Sequence, residues 1–300
     1  MARPHDGKVG IITGGSRGIG ASIAENLAAK GCNLLLVFTS ESSKAPTDKL
    51  SSKLAKEHGI RVASVQANLS DPAQNVPKIL SAAKENFSDL HSGIFQVDIL
   101  VNNAGVAAMH FLNDPDKGAI GETHFDFQYR INVLAPLLLT QACEPFLPRD
   151  RSGRIVNVSS VSSSIGYEGQ SVYSGTKAAL DAMTRVWSRE LAERATVNAI
   201  NPGPVHGDMY TQAGQAFWNI NQKYVDQAPL MAYKGDDVSR AKSGMDPAEY
   251  DKMVLENMGG QRPAFGDEIA GVVGMLCSAE SAWTTGSVIC ANGGMKMSIA

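Results

Sequence analysis

Short runs of aliphatic and β-branched residues alternate along this chain with longer stretches in which apolar positions return every three to four residues. The short runs fall at 9–13, 33–38, 61–66, 98–102, 154–159, 196–200 and 287–290. Most are apolar at consecutive positions rather than at every second one, as strands buried on both faces require. The periodic stretches fall at 18–30, 47–58, 76–87, 123–147, 171–193 and 267–278, and they read as helices with an apolar face. This alternation predicts an α/β, doubly wound Rossmann-type fold: one domain over 1–300 with a seven-stranded parallel sheet and helices on both faces.

Two segments break the rhythm, at 107–121 and 204–266. The longer mixes Trp218, Tyr224 and Tyr233 with turn residues and charges, and it follows a strand end, where open α/β sheets bind ligands. A lid over a substrate is its functional reading, with a surface insertion or subunit contact as the alternative.

Composition narrows the partners. A net charge of -3 with both signs interspersed offers neither a basic stripe for nucleic acid nor a polybasic arm for a membrane. No apolar stretch reaches membrane-spanning length. Cys32, Cys143, Cys277 and Cys290 lack metal-ligand spacing and sit among apolar neighbours, so they read as free buried thiols of a cytoplasmic protein, without disulfide or metal.

Directly after the first strand come Thr13-Gly14-Gly15-Ser16-Arg17-Gly18-Ile19-Gly20, and then the first helix. Glycines let a backbone approach phosphate closely, while the free amides and dipole of a helix N-terminus stabilise its charge. The segment therefore reads as a pyrophosphate cradle for a dinucleotide, although its glycine spacing is not G-x-G-x-x-G.

Further motifs follow in order: Asn102-Asn103-Ala104-Gly105, Asn132, Ser160, Tyr173-x-x-x-Lys177 and Asn201-Pro202-Gly203. Together with Thr13-Gly14-x-x-x-Gly18-x-Gly20, they resemble the short-chain dehydrogenase/reductase family along nearly the whole chain. FTSESS, ANLSDP and ANGGM are most similar to 3-oxoacyl-carrier-protein reductases and fungal secondary-metabolism ketoreductases. The resemblance implies a cofactor site made of Gly14, Ser16, Arg17, Gly18, Ile19, Gly20, Thr39, Ser40, Asn68, Leu69, Asn103, Ala104, Gly105, Tyr173, Lys177, Pro202, Gly203 and Val205. It implies a catalytic set of Asn132, Ser160, Tyr173 and Lys177, in which Tyr173 protonates the alkoxide formed by hydride transfer, Lys177 also holds the nicotinamide ribose and Asn132 anchors a water. It also implies a homodimer or homotetramer.

The second half carries chemistry that can be read without the resemblance. Tyr173 and Lys177 are four apart near a helix start, so they share a face, and an ammonium beside a phenol favours the phenolate. Ser160 ends a strand, where its hydroxyl can polarise a carbonyl at the carboxyl edge of the sheet. No G-x-S-x-G elbow surrounds it, which argues against hydrolase chemistry. At the end of the second strand, Thr39 and Ser40 stand where an NAD site typically has an acid, and Arg17 can pair with a 2′-phosphate, so NADP(H) is expected. Glu41 is the contrary residue.

The expected activity is reduction of a ketone, or oxidation of the matching alcohol, in a bulky, partly apolar small molecule such as a polyketide. A non-redox or regulatory NADP(H)-binding protein on the same fold is the alternative.

Overall fold

The computed structural model describes residues 3–89, 91–211 and 213–297. All seven expected strands form: β1 Val9–Thr13, β2 Asn33–Phe38, β3 Val62–Gln66, β4 Ile99–Asn102, β5 Gly153–Val158, β6 Ala195–Pro202 and β7 Val288–Ala291. They lie in the order β3-β2-β1-β4-β5-β6-β7, with every neighbouring pair parallel. The chain winds outward from β1 to β3, then crosses back to place β4 on the other side of β1. Connections leaving β1 and β4 therefore diverge and open a crevice at the carboxyl ends of these strands.

Alternation within the strands feeds two cores, one on each face. Ile11, Leu35, Val37 and Leu100 pack with Val76, Ile79, Leu139, Leu180 and Trp187 on one face. On the other, Ile12, Leu34, Leu36 and Val101 pack with Ile23, Leu27, Leu54, Ile269 and Val273. The first face is covered by α3 Pro72–Phe87, α5 Ala135–Cys143 and α6 Ser171–Glu190, and the second by α1 Gly18–Ala29, α2 Lys44–His58 and α10 Gly266–Leu276. Helix α3 begins earlier than its periodicity suggests, because Pro72 suits the first turn, where no N–H is needed.

The stretch 123–147, expected as one helix, is divided. Helix α4, Glu122–Tyr129, gives way to a π-turn over Arg130–Leu134 before α5 begins. Pro136 has no N–H to offer the Asn132 carbonyl, so the α-helical ladder cannot pass through this point and the backbone widens. Along this stretch Leu138, Ala142 and Phe146 pack against the core while Leu137 is exposed. Trp187 belongs to the core as well.

Segment 204–266 folds on itself as α7 Gly214–Val225, α8 Asp237–Ser243 and α9 Pro247–Lys252. Tyr210, Trp218, Tyr233, Tyr250, Val254, Met258 and Phe265 form a separate core within it. Asp251 binds it from within, accepting from Tyr233 Oη at 2.6 Å and from Arg240 through both carboxylate oxygens. Asp236 and Asp246 cap α8 and α9 through their side chains. Trp218 and Tyr233 are thus spent on folding the segment, while Tyr224 packs edge-on against Tyr167 in the loop after β5.

Tyr250 is fully buried, and its hydroxyl has no hydrogen-bond partner among the described residues. Tyr250→Ala is expected to cost roughly 3–5 kcal/mol by leaving a cavity, whereas Tyr250→Phe should be neutral or stabilising because it removes an unsatisfied group. Limited proteolysis and thermal melts check this: cleavage should appear first within 204–266 in the alanine variant, and equal melting of the two variants would refute it.

Candidate active site

Every motif singled out in the sequence reaches the carboxyl edge of the sheet. The glycine turn follows β1, Asn103-Ala104-Gly105 follows β4, Ser160 follows β5 and Pro202-Gly203 closes β6. Packing and hydrogen bonds shape the glycine turn. A Cβ at Gly20 would lie 2.1 Å from the Gly14 carbonyl oxygen and 2.6 Å from Asn103 Nδ2, so only glycine fits there. Gly14 needs glycine for a second reason, its φ of +65°. Asn103 Nδ2 donates to the carbonyls of Thr13 and Gly14, and Thr13 Oγ1 accepts from the backbone N–H groups of Asn103 and Ala104. The Asn103 side chain is therefore a brace of the turn.

This cradle fits a dinucleotide pyrophosphate. Gly18 has a φ of +53° and open space where a Cβ would stand, and the first turn of α1 carries neither a side-chain cap nor an acidic residue. Its amide groups remain available to an anion. Arg17 is exposed at the start of α1, Ser16 and Ile19 are half-buried, and Ile19 packs against the core beneath.

Thr39 and Ser40 lie exposed just past β2, with Ser40 Oγ hydrogen-bonded to Ser42 Oγ at 2.9 Å. Glu41 begins a short 3-10 turn in front of α2 and is also exposed. Past β3, Leu69 is buried, while Asn68 is exposed and its Oδ1 accepts from the Ser70 N–H, leaving that oxygen one lone pair for another donor. Past β6, the space beside Gly203 is closed by Asn292, and Val205 bridges to Ala264. His206 is drawn into the folded segment: its N–H donates to the Ala264 carbonyl, and its Nε2 lies 3.1 Å from the Ser243 carbonyl oxygen.

Ser160, Tyr173 and Lys177 converge beside the cradle. Backbone bonds from Ser159 to Ile200 and from Val161 to Pro202 hold the segment carrying Ser160 against β6. Burial pushes the Tyr173 pKa up, and the nearby Ser160 hydroxyl works against that push. The net direction is upward, so the phenol stays protonated at neutral pH and the expected shift toward phenolate is not seen. The reason is distance: Lys177 Nζ turns to the Val158 carbonyl at 2.8 Å and lies 5.8 Å from the Tyr173 ring centroid. Lys177 is only 3% exposed, and burial lowers its pKa to about 8 against the upward pull of Asp181, one turn along α6.

Both side-chain donors of Asn132 and one lone pair of its Oδ1 are engaged within the protein. Its Oδ1 accepts from the Val106 N–H at 2.9 Å, and its Nδ2 donates to the Val106 carbonyl at 2.9 Å and to Thr176 Oγ1 at 3.0 Å. It thereby ties the loop after β4 to α6. A Cβ at Gly105 would lie 3.3 Å from both Asn132 Oδ1 and Lys177 Nζ, so the two groups flank that glycine closely.

Sequence reading missed Thr13 and Thr176 as braces, and it missed Ser162 and Gln170, whose 2.8 Å hydrogen bond lies next to Ser160 and Tyr173. Only the position of Gln170, one turn before Tyr173 at the helix start, could have drawn attention to it.

Comparison with known proteins agrees with this geometry. A sequence model of the short chain dehydrogenase family matches residues 8–217. An L-xylo-3-hexulose reductase of Hypocrea jecorina (strain QM6a) is 60% identical over 100% of both chains. An L-xylulose reductase of Aspergillus niger is 56% identical over 99% of each. Among solved structures, a blue fluorescent protein from a metagenomic library in complex with NADPH superposes with a TM-score of 0.77 at 29% identity, covering 97% of this chain and 99% of the other. With its sheet order, its cradle and its Ser160, Tyr173 and Lys177 cluster in place, the chain belongs to the short-chain dehydrogenase family of oxidoreductases, which act on CH–OH and C=O groups.

Proposed function

We propose that this protein is an NADPH-dependent ketose reductase, which converts the carbonyl of a short polyhydroxy ketone to a secondary alcohol and can run in reverse. The observation that carries the reading is the gathering of Ser160, Tyr173 and a buried Lys177, whose Nζ donates to the Val158 carbonyl, at the strand ends that also bear the glycine cradle. A ketose is preferred over the bulky apolar substrate because the two similar reductases are named for sugar ketones and because the aromatic residues of 204–266 pack on one another. Nothing favours the non-redox alternative. The chain acts as one NADP-binding domain, with 204–266 as its substrate lid.

NADPH, when bound, supplies the hydride. Ser160 Oγ orients the substrate carbonyl, and Tyr173 donates its proton to the oxygen that becomes the alcohol. Burial keeps the phenol protonated and suits it to this donor role. Lys177 holds the nicotinamide ribose and replaces the proton lost by Tyr173, while Asn132 keeps the loop after β4 and α6 in register around it. Arg17, Thr39 and Ser40 receive the 2′-phosphate, a guanidinium and two hydroxyls being better suited to it than the carboxylate of Glu41.

A second copy of the chain covers the outer faces of α5 and α6, where Leu137, Ala178, Ala182 and Val186 are exposed. The resulting homodimer or homotetramer works in the cytoplasm, to which its free thiols are suited.

Tyr173→Phe should lower kcat by about a hundred- to ten-thousand-fold while leaving NADPH affinity unchanged, as steady-state kinetics on L-xylulose and cofactor fluorescence would show. Retention of a tenth of the activity refutes the assignment. Lys177 gives a pH test. Its folded pKa lies below the unfolded value, so the fold bears the cost of burying its charge below about pH 8 and is relieved as pH rises toward the unfolded value. Lys177→Met removes that cost, on the order of 3 kcal/mol, so its advantage in thermal melts at pH 7 should shrink progressively above pH 8. A pH-independent difference would contradict the burial of the ammonium. Light scattering tests assembly: Ala182→Glu should dissociate the active oligomer, and a monomeric wild type excludes the interface.

A further inference from the structure

We infer that Gln170 is a specificity-determining residue whose carboxamide N–H groups bind a hydroxyl on a carbon flanking the substrate carbonyl. The inference rests on the ketose reading above. Gln170 stands immediately before α6 and three residues before Tyr173, so the two side chains lie along one edge of the helix. It is only 7% exposed, and its Oε1 accepts a 2.8 Å bond from Ser162 Oγ. Ser162, itself buried, donates its backbone N–H to Ser160 Oγ at 3.1 Å. One residue thus connects the carbonyl-orienting hydroxyl to the carboxamide, and the Ser162–Gln170 bond forms a polar rung beside Ser160 and Tyr173.

The direction of that rung decides what the site presents. With Oε1 occupied by Ser162, the carboxamide offers donors. Its Nε2 has no hydrogen-bond partner among the described residues and is not sealed from solvent. A nearly buried donor pair next to the carbonyl position is satisfied by the lone pairs of an adjacent hydroxyl, and left unpaired by a methyl or methylene group. A hydroxyl next to the carbonyl is the feature that separates a ketose from a simple ketone.

The surrounding backbone holds Gln170 ready. Its N–H donates to the Tyr167 carbonyl at 3.2 Å, its carbonyl accepts from Ser174 at 2.8 Å, and the preceding Gly169 carbonyl accepts from His110 at 2.7 Å. Gly169 has a φ of +73°, and a Cβ there would lie 2.7 Å from Met109 Cγ, so the loop from 107 onward presses directly on this turn. The carboxamide is positioned before substrate arrives, as a discriminating contact requires.

The test measures kcat/KM for L-xylulose and for its 1-deoxy and 3-deoxy analogues, in the wild type, Gln170→Leu and Ser162→Ala, with NADPH affinity by fluorescence as the check on folding. The wild type should prefer L-xylulose to one of the analogues by at least about tenfold. Gln170→Leu should lose about that factor on L-xylulose and stay within about twofold on that analogue, while Ser162→Ala, which frees the carboxamide to rotate, should narrow the preference partway. An equal loss on all three substrates in both variants, or no loss on any, overturns the assignment while the ketose reading stands. A wild type that reduces simple ketones but no ketose overturns both.

Discussion

A lysine ammonium held almost entirely out of water is the constraint around which this site is organised. Lys177 donates to the carbonyl of Val158, the last residue of β5, and this bond seats the start of α6 on the carboxyl end of the strand. A buried charge is costly unless its hydrogen bonds are met, so the position of α6 is set closely. Tyr173, one turn earlier, then sits near the Ser160 hydroxyl, which lowers its pKa against burial, and Gln170, a further turn back, meets Ser162. The three polar contacts follow one helix edge, and each is aligned by the one before it.

The site is braced from behind by amides whose capacity is used within the protein. Asn132 spends its side chain on Val106 and Thr176, and Asn103 spends its Nδ2 on the glycine turn. Beneath them, Asn102 donates to Asn157, which donates to Thr184 on α6. These bonds join β4, β5 and α6 through a buried polar chain, in which Asn102 Oδ1 alone has no hydrogen-bond partner among the described residues. The groups that face the crevice can therefore keep open hydrogen-bonding capacity without loosening it.

The segment over the crevice follows a different logic. Most of its aromatic residues build a core of their own, and it is tied to the rest of the fold by Val205 and Ala264 packing on the core of the second face, by the Leu230 N–H donating to the Gly293 carbonyl, and by the pairs Lys223–Glu168, Lys242–Asp267 and Arg262–Glu268. A second cluster, Val161, Tyr167, Val225, Met231 and Met295, joins α7 to the loop after β5.

The sequence by itself determined what depends on local period and spacing. Short aliphatic and β-branched runs marked all seven strands, glycine crowding marked the cradle, and the four-residue interval between Tyr173 and Lys177 put both on one helix face. It did not reveal what depends on partners distant along the chain. Pro136 was visible, but the π-turn at Asn132 is held by bonds to residues 26 and 44 positions away. The aromatic content of 204–266 could be counted, yet whether it lined a pocket or filled a core was decided by its folding. The charge of Lys177 could be read, but the strength and direction of its influence came from desolvation and from its turn toward Val158. Tertiary structure alone sets these, because burial and long-range hydrogen bonds exist only once the sheet has brought separate segments together.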